Sequence, residues 1–223
     1  MKRRITFFFT VLLLGGCFGI NSDIDVASGT KVDRGLGTVN GSVQIGSDSS
    51  VDGDVESVNG SVTIGANTTV AGHVTTVNGK ITLGAGASAL EVAGVNGSID
   101  IGEDAKIEGS VDTVNGLVVL RAGGIVGEQI SSVNGQIRLE GATAGSVRNN
   151  NGGIVLESGS RVLGELRVVK SRLAKADQPV TVIIHADCEV AGPLVFERPV
   201  KLQIHESANV GEIQGAEPEY FND

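Results

Sequence analysis

The chain has 223 residues, among them 33 glycines, six phenylalanines, one tyrosine and no tryptophan. This composition leaves too few large aromatic side chains for a conventional globular core, whereas a hydrophobic content of 40% is too high for a disordered chain. The net charge of −9 argues against a general nucleic-acid binder, because such proteins need a basic surface.

Residues 1–16 have the order of an export signal. Three basic residues, Lys2, Arg3 and Arg4, precede an apolar run from Ile5 to Leu14, and small residues follow. The run is too short to span a bilayer comfortably. We therefore expect residues 1–16 to be a signal peptide that is removed on export.

The segment Leu14-Gly15-Gly16-Cys17 resembles the lipobox of bacterial lipoproteins. The resemblance implies that Cys17 carries the lipid and begins a short lipidated N-terminus, residues 17–20. In that class an Asp after the cysteine favours the inner membrane, and Phe18 stands here, so the resemblance implies an outer-membrane anchor. Lipidation would leave Cys188 as the one free thiol, so no intrachain disulfide is expected.

The mature chain is an internal repeat of about 19 residues. The motif Val-Asn-Gly recurs at 39–41, 58–60, 77–79, 95–97, 114–116 and 133–135. Aliphatic residues follow each Asn three and five positions later, as at Val43 and Ile45, and again eleven and fifteen positions later, as at Val51 and Val55. Since residues two apart share a face of a strand, these columns predict short strands with inward aliphatic side chains.

The repeat predicts an all-β fold, a single-stranded parallel β-helix (β-solenoid) over residues 21–215. Corners at 21, 40, 59, 78, 96, 115, 134, 151, 179 and 199 define ten coils. We expect a right-handed coil, because 19 residues do not divide into the six-residue repeats of left-handed solenoids. An irregular basic loop is expected near 167–178, and an acidic C-terminal tail over 216–223.

The Asn-Gly corners carry two further expectations. Both residue types tolerate the left-handed backbone region, so the corner is expected to have a positive φ. The stacked asparagines are also expected to form a ladder of side-chain amide hydrogen bonds, as in cross-β assemblies.

Two patterns resemble known families. Ile-Gly followed by regularly spaced aliphatic and glycine residues, over 45–55, 64–74 and 101–111, resembles the bactofilins, which are polymer-forming β-helical proteins. The Val-Asn-Gly corners resemble the repeats of adhesin-like proteins of the bacterial cell envelope. The resemblance implies the fold and the possibility of self-association, but the export signal departs from bactofilins and argues against a cytosolic role.

Acidic residues cluster in the second coil, at Asp48, Asp52, Asp54 and Glu56. Carboxylates of this kind can hold calcium, but the cluster lacks the glycine-rich calcium repeat, so a solvated surface is the favoured interpretation. A polysaccharide lyase or hydrolase would need carboxylates or basic residues that converge on one groove, and the sequence shows no such convergence. No catalytic residue is therefore assigned.

His185 and His205 follow inward isoleucines in adjacent coils, with Cys188 nearby. Metal binding by this set is one interpretation, and a surface ladder of two histidines explains the spacing equally well. We assign no metal site and no cofactor.

Two surface features are candidates for contacts. Leu117 and Val119 occupy outward strand positions that are polar in an earlier coil, which predicts a lateral contact unless the change is chance variation. The irregular coil is basic and is a candidate for contact with lipid phosphates or anionic glycans, with a solvated loop as the alternative. Its basic residues are Arg167, Lys170, Arg172 and Lys175.

Together these features predict a non-catalytic, exported cell-envelope lipoprotein that acts as a β-helical structural scaffold or self-associating element. The alternative is an adhesin-like surface module that binds envelope polysaccharide, although exposed aromatic platforms, which would favour it, are nearly absent. A carbohydrate-active β-helix enzyme is a third, weaker hypothesis. The expected partners are the membrane, through the N-terminal lipid, and further copies of the chain, but not nucleic acid.

Overall fold

The computed structural model describes residues 17–170 and 178–222. These residues contain thirty short strands and no helix. The strands are β1 Cys17–Gly19, β2 Ile24–Val26, β3 Lys31–Val32, β4 Leu36–Thr38, β5 Val43–Ile45, β6 Ser50–Val51, β7 Val55–Asn59, β8 Val62–Ile64, β9 Thr69–Val70, β10 His73–Asn78, β11 Ile81–Leu83, β12 Ser88–Ala89, β13 Glu91–Asn96, β14 Ile99–Ile101, β15 Lys106–Ile107, β16 Val111–Asn115, β17 Val118–Leu120, β18 Ile125–Ser132, β19 Ile137–Glu140, β20 Thr143–Asn149, β21 Ile154–Glu157, β22 Arg161–Val162, β23 Leu166–Val168, β24 Val180–Ile184, β25 Glu189–Val190, β26 Leu194–Phe196, β27 Val200–His205, β28 Asn209–Val210, β29 Ile213–Gln214 and β30 Pro218–Phe221.

The strands stack into the parallel β-solenoid that the repeat predicts. Each coil contributes a strand to three faces, and each strand pairs in parallel with its equivalents in the coils on either side. The first face is an eleven-stranded sheet that begins with β2 and β5 and ends with β30. The second face begins with β3 and β6 and the third with β1 and β4, and the long strands β18 and β20 join these two faces into one sheet. At about 4.8 Å per strand, eleven rungs extend about 48 Å. The handedness of the coil stays a prediction.

The core is a set of aliphatic ladders inside the coil. Val43 and Ile45 on the first face, Val51 on the second and Val55 on the third are each at most 1% exposed. Their equivalents in later coils are buried in the same way and belong to one continuous core. The columns of aliphatic residues in the sequence are therefore the inward columns of the fold.

The corner glycines are required by the close approach of neighbouring coils. A Cβ atom on Gly79 would lie 2.1 Å from the carbonyl oxygen of Gly60, and one on Gly135 would lie 1.7 Å from that of Gly116. A positive φ occurs at the corner residues Asn21, Gly97 and Gly116, but none of the asparagines in the six motifs has one. Most of the other residues with a positive φ lie in the turn after the first face, for example Asp48 with a φ of 56°.

Both ends of the solenoid extend further than expected. Before Asn21, β1 pairs with β4, so that Cys17 aligns with Leu36. At the other end β30 pairs with β27, and Phe221 aligns with His205. Residues 218–221 of the expected tail therefore lie in the last strand of the first face.

The irregular region begins later than expected. Arg167 lies in the regular strand β23, which pairs with β20 and β26. The departure from the repeat thus follows Val168, and residues 171–177 lie outside the described part of the chain. The expected signal peptide, residues 1–16, also lies outside the described part of the chain.

The register can be tested at Ile101, which is fully buried on the first face. The Ile101→Asp variant places an unpaired carboxylate in the core, and we expect it to lower the free energy of unfolding by more than about 3 kcal/mol. Ile125 is 44% exposed on the second face, so Ile125→Asp is the matched control and should change stability by less than about 0.5 kcal/mol. Denaturant unfolding of the full chain in detergent, followed by circular dichroism, measures both, and equal stability of the two variants would show that the register is wrong.

Candidate functional site

The corner asparagines form a continuous hydrogen-bonded ladder along one edge of the rod, as the sequence predicts. In each rung the side-chain Nδ2 donates to Oδ1 of the asparagine one coil earlier, for example Asn59 to Asn40 at 2.8 Å and Asn78 to Asn59 at 2.8 Å. The ladder contains Asn21, Asn40, Asn59, Asn78, Asn96, Asn115, Asn134 and Asn151. All its amide dipoles point the same way, with the oxygens toward the C-terminal end of the rod.

The last oxygen of the ladder is met by a guanidinium group. Nη1 of Arg198 donates to Oδ1 of Asn151 at 2.8 Å and to the backbone oxygen of Asn150 at 2.9 Å. A cation at this end complements the partial negative charge of the aligned amides, in the way that a cation stabilises a helix C-terminus. Arg198 therefore closes the ladder where the irregular region interrupts the repeat.

A stripe of outward valines runs beside the ladder. On the third face Val55 and Ser57 point inward, so Val58, directly before the corner Asn59, points out. The valine of each motif is half-buried, and we call this set the valine stripe: Val39, Val58, Val77, Val95, Val114 and Val133. In the sequence these valines stand out only as the first residue of the corner motif. Strand alternation counted from the inward position at Val55 would have shown that they face outward.

Inward hydroxyl groups hold the valine stripe against the corner. The Ser57 hydroxyl donates to the Gly41 backbone oxygen at 2.9 Å, and the Thr76 hydroxyl donates to that of Gly60 at 3.0 Å. In later coils the hydroxyls of Thr113 and Ser132 are buried without a partner among the described residues. The hydroxyl hydrogen bonds that fix the corner therefore lie in the N-terminal half of the rod.

Charged residues flank the valine stripe at two levels. Glu56 lies beside Val58, and burial, together with the nearby charge of Asp54, raises the pKa of the Glu56 carboxyl. Arg148 stands in the same outward column five coils further along, beside Asn150. Within the described ranges neither Glu56 nor Arg148 forms an ion pair.

Leu117 and Val119, the residues of the expected lateral contact, expose little apolar surface. Val119 points outward but is only 8% exposed, and it lies between Asp100 and Arg138 in the register of the first face. Burial opposes the charge of Asp100, but hydrogen bonds from Arg121 and Lys80 outweigh it and lower the pKa of this carboxyl. Val119 therefore offers little open apolar surface, Leu117 is half-buried, and the lateral contact stays a prediction.

The four basic residues that were expected to contact anions at the irregular coil differ in their surroundings. Arg167 contacts Glu165 and bonds to Oε1 of Glu197 at 2.7 Å, so its charge is already paired within the rod, and its role as an anion contact stays a prediction. Lys170 is exposed, and its backbone nitrogen donates to Glu197 at 3.4 Å. Arg172 and Lys175 lie outside the described residues.

The histidines and the cysteine do not converge. Cys188 is 1% exposed, its thiol donates to the Glu157 backbone oxygen at 3.1 Å, and burial raises its pKa. His185 and His205 instead pack edge-on against Phe221, with ring centroids 5.9 and 5.3 Å apart. Across residues 17–170 and 178–222, no group of three His, Cys, Asp or Glu side chains is placed to hold a metal ion.

The acidic residues of the second coil have structural contacts. Oδ1 of Asp48 accepts a hydrogen bond from Asn67 at 3.1 Å, and Oδ1 of Asp54 accepts one from the His73 backbone at 2.8 Å. Each contact joins the second coil to the third. Asp48 and Asp54 therefore act as rungs between coils.

A polar cleft of about 450 Å³ lies where the ladder ends. Amide, hydroxyl and guanidinium groups line it, together with two glycines and two apolar residues. The lining residues are Gln136, Asn151, Gly152, Gly153, Gln178, Pro179, Val180, Thr181 and Arg198. The cleft is not evident from the sequence, because Gln136 and Arg198 are 62 residues apart in the chain.

Comparisons of the chain with protein-family models, with curated proteins and with solved structures each found no match. Within the described residues, no helix has the length and apolar character needed to cross a membrane.

The contribution of the ladder can be measured in its middle, at Asn78. Asn78→Ala removes two amide hydrogen bonds, to Asn59 and from Asn96, and should lower the free energy of unfolding by about 1–3 kcal/mol. Asn209 is exposed and outside the ladder, so Asn209→Ala is the control and should have little effect. If denaturant unfolding gives the same stability for both variants, the ladder does not stabilise the rod.

Proposed function

We propose that this protein is a non-catalytic lipoprotein of the bacterial cell envelope, a rod tethered through Cys17 that pairs side by side with a second copy. The observation that carries the proposal is the valine stripe, an apolar line repeated over six coils on the outside of the rod. Apolar residues in a continuous outward line are a feature of interaction surfaces rather than of solvated sheets.

The tether rests on the lipobox-like segment and on the position of Cys17. Cys17 begins β1, the first strand of the third face, so it stands at the N-terminal end of the rod. A lipid on Cys17 would hold this end at the membrane surface, and two antiparallel rods anchored at opposite ends would lie along that surface over about 48 Å. By the lipobox resemblance the outer membrane is the proposed location.

Pairing with a second copy is supported by the charges that flank the valine stripe. When two rods run antiparallel about a two-fold axis, each column of one rod faces the same column of the other. An overlap that sets Val77 against Val133 and Val95 against Val114 also sets Glu56 against Arg148. Two unpaired opposite charges would then meet twice in the dimer, at either end of the apolar contact.

Side-by-side pairing is favoured over end-to-end growth by the composition of the last strand. In β30, Pro218 lacks a backbone N–H, and Glu219 is exposed beside it. Proline and charge on an edge strand oppose the addition of another strand. The acidic C-terminal segment therefore opposes the addition of a further strand at this end of the sheet.

A non-catalytic role is supported by the arrangement of charges on the first face. Arg121 bonds to Asp100 at 2.9 Å and to Glu140 at 3.5 Å, which makes a chain of ion pairs along the rod. These carboxylates are separated and neutralised by a cation. A glycosidase instead needs two carboxylates that face one substrate bond.

Cys17→Ala tests the tether, because it removes the one acylation site that the lipobox-like segment offers. We expect the variant to lose both palmitate labelling and membrane association in cell fractionation. Cys188→Ser, at the buried cysteine, is the control and should keep both. Undiminished membrane association of Cys17→Ala would refute the lipid anchor.

Charge reversal tests the antiparallel pairing. Glu56→Lys and Arg148→Glu should each weaken dimerisation of the full chain in detergent by about tenfold or more, because each places like charges in contact twice. The double variant restores the pair and should dimerise nearly as well as the natural chain. Sedimentation and chemical cross-linking measure the dimer.

The control for this test is Glu108→Lys, an equal charge change on an exposed residue away from the valine stripe. It should leave the dimer unchanged. A double variant that dimerises no better than either single variant would rule out the antiparallel overlap.

A further inference from the structure

Arg198 is a cation that the described residues do not neutralise. Its three hydrogen bonds go to oxygens of neutral groups, namely Asn150 O, Asn151 Oδ1 and, from Nη2, Gln178 O at 2.9 Å. No carboxylate in residues 17–170 or 178–222 forms an ion pair with it. By contrast, Arg121, Arg161 and Arg167 each bond to a carboxylate.

The guanidinium also retains free donors. A guanidinium has five N–H groups, and the three bonds occupy both hydrogens of Nη1 and one of Nη2. Nε makes no bond within the described residues, and one hydrogen of Nη2 is also left over. Nε–H and an Nη2–H on the same side of a guanidinium form the parallel pair that matches the two oxygens of a carboxylate.

This group lines a cleft of suitable size and chemistry. Its volume of about 450 Å³ lies within the usual range for small-ligand sites, about 300–1,000 Å³. Gln136, Gln178 and Thr181 bring amide and hydroxyl groups that both donate and accept hydrogen bonds. Pro179 and Val180 add apolar side chains.

We propose that this cleft binds a uronic acid, that is, a sugar unit that carries one carboxylate. The carboxylate takes the Nε and Nη2 donors of Arg198, and the sugar hydroxyls bond to Gln136, Gln178 and Thr181. The C–H face of the ring packs on Pro179. This binding site goes beyond the proposed tethered rod and does not depend on its pairing or its lipid.

The net negative charge of the chain favours a ligand with one carboxylate over a ligand with many negative charges. The chain has 26 acidic and 17 basic residues, and the neighbouring Arg167 is already paired with glutamates. The net negative charge of the chain would repel a densely charged polyanion. A single carboxylate can instead sit against the guanidinium of Arg198, which no carboxylate of the described residues neutralises, so isolated uronic acid units fit better than polyphosphate.

Calorimetric titration of the full chain in a non-ionic detergent tests the site with three probes: glucuronate, glucose and acetate. Glucuronate should bind, and glucose and acetate should bind at least about tenfold more weakly, because each offers half of the contacts. Absence of glucuronate binding would overturn the proposal. Equal binding of acetate and glucuronate would overturn the assignment to a sugar.

Two variants separate binding from folding. Arg198→Lys keeps a cation near Asn151 but loses the two parallel donors, and Gln136→Ala removes a sugar contact outside the ladder. Each should weaken glucuronate binding about tenfold or more, with the melting temperature of Gln136→Ala unchanged. Arg167→Lys, whose natural arginine is paired with Glu197, is the matched control and should bind like the natural chain. Unchanged affinity in both Arg198→Lys and Gln136→Ala would reject the site.

Discussion

The structure depends on the stacking of each coil directly on the one before it, in parallel and without a change of register over most of the rod. Backbone hydrogen bonds set the separation at about 4.8 Å, and the corner allows it only because glycine leaves room for the carbonyl oxygen of the next coil. Under this constraint any residue type that recurs every 19 positions becomes a line along the surface. A row of asparagines becomes a ladder, and a row of valines becomes an apolar stripe.

The same constraint explains what the sequence could predict. The inward columns of Val, Ile and Leu follow strand alternation, so the fold, the strand positions and the asparagine ladder could be predicted from spacing alone. The burial or pairing of an outward side chain could not be predicted, because it depends on side chains from other coils. Val119 is buried between Asp100 and Arg138, and Arg167 is paired with Glu197, which is 30 residues away in the chain.

The ends of the rod show a second limit of sequence reasoning. Cys17 and Pro218 both lie in strands, yet neither segment carries the complete repeat. Each is placed by pairing with a single neighbour, β4 at one end and β27 at the other, and Tyr220 takes an inward register position although it is 61% exposed. A search of the sequence for several matching columns cannot find a terminal strand that pairs with only one neighbouring strand.

Repetition and interruption produce different kinds of surface in this protein. The regular coils can offer only lines of equal groups, which suit contact with another extended object such as a second rod. A site that holds one small ligand needs unlike groups at one place, and these arise where the repeat fails. At that point Asn151 ends the ladder, Arg198 reaches it from two coils further on, and Gln136 and Thr181 face the same cleft. The irregular region is therefore the part of the rod where a specific binding site can exist.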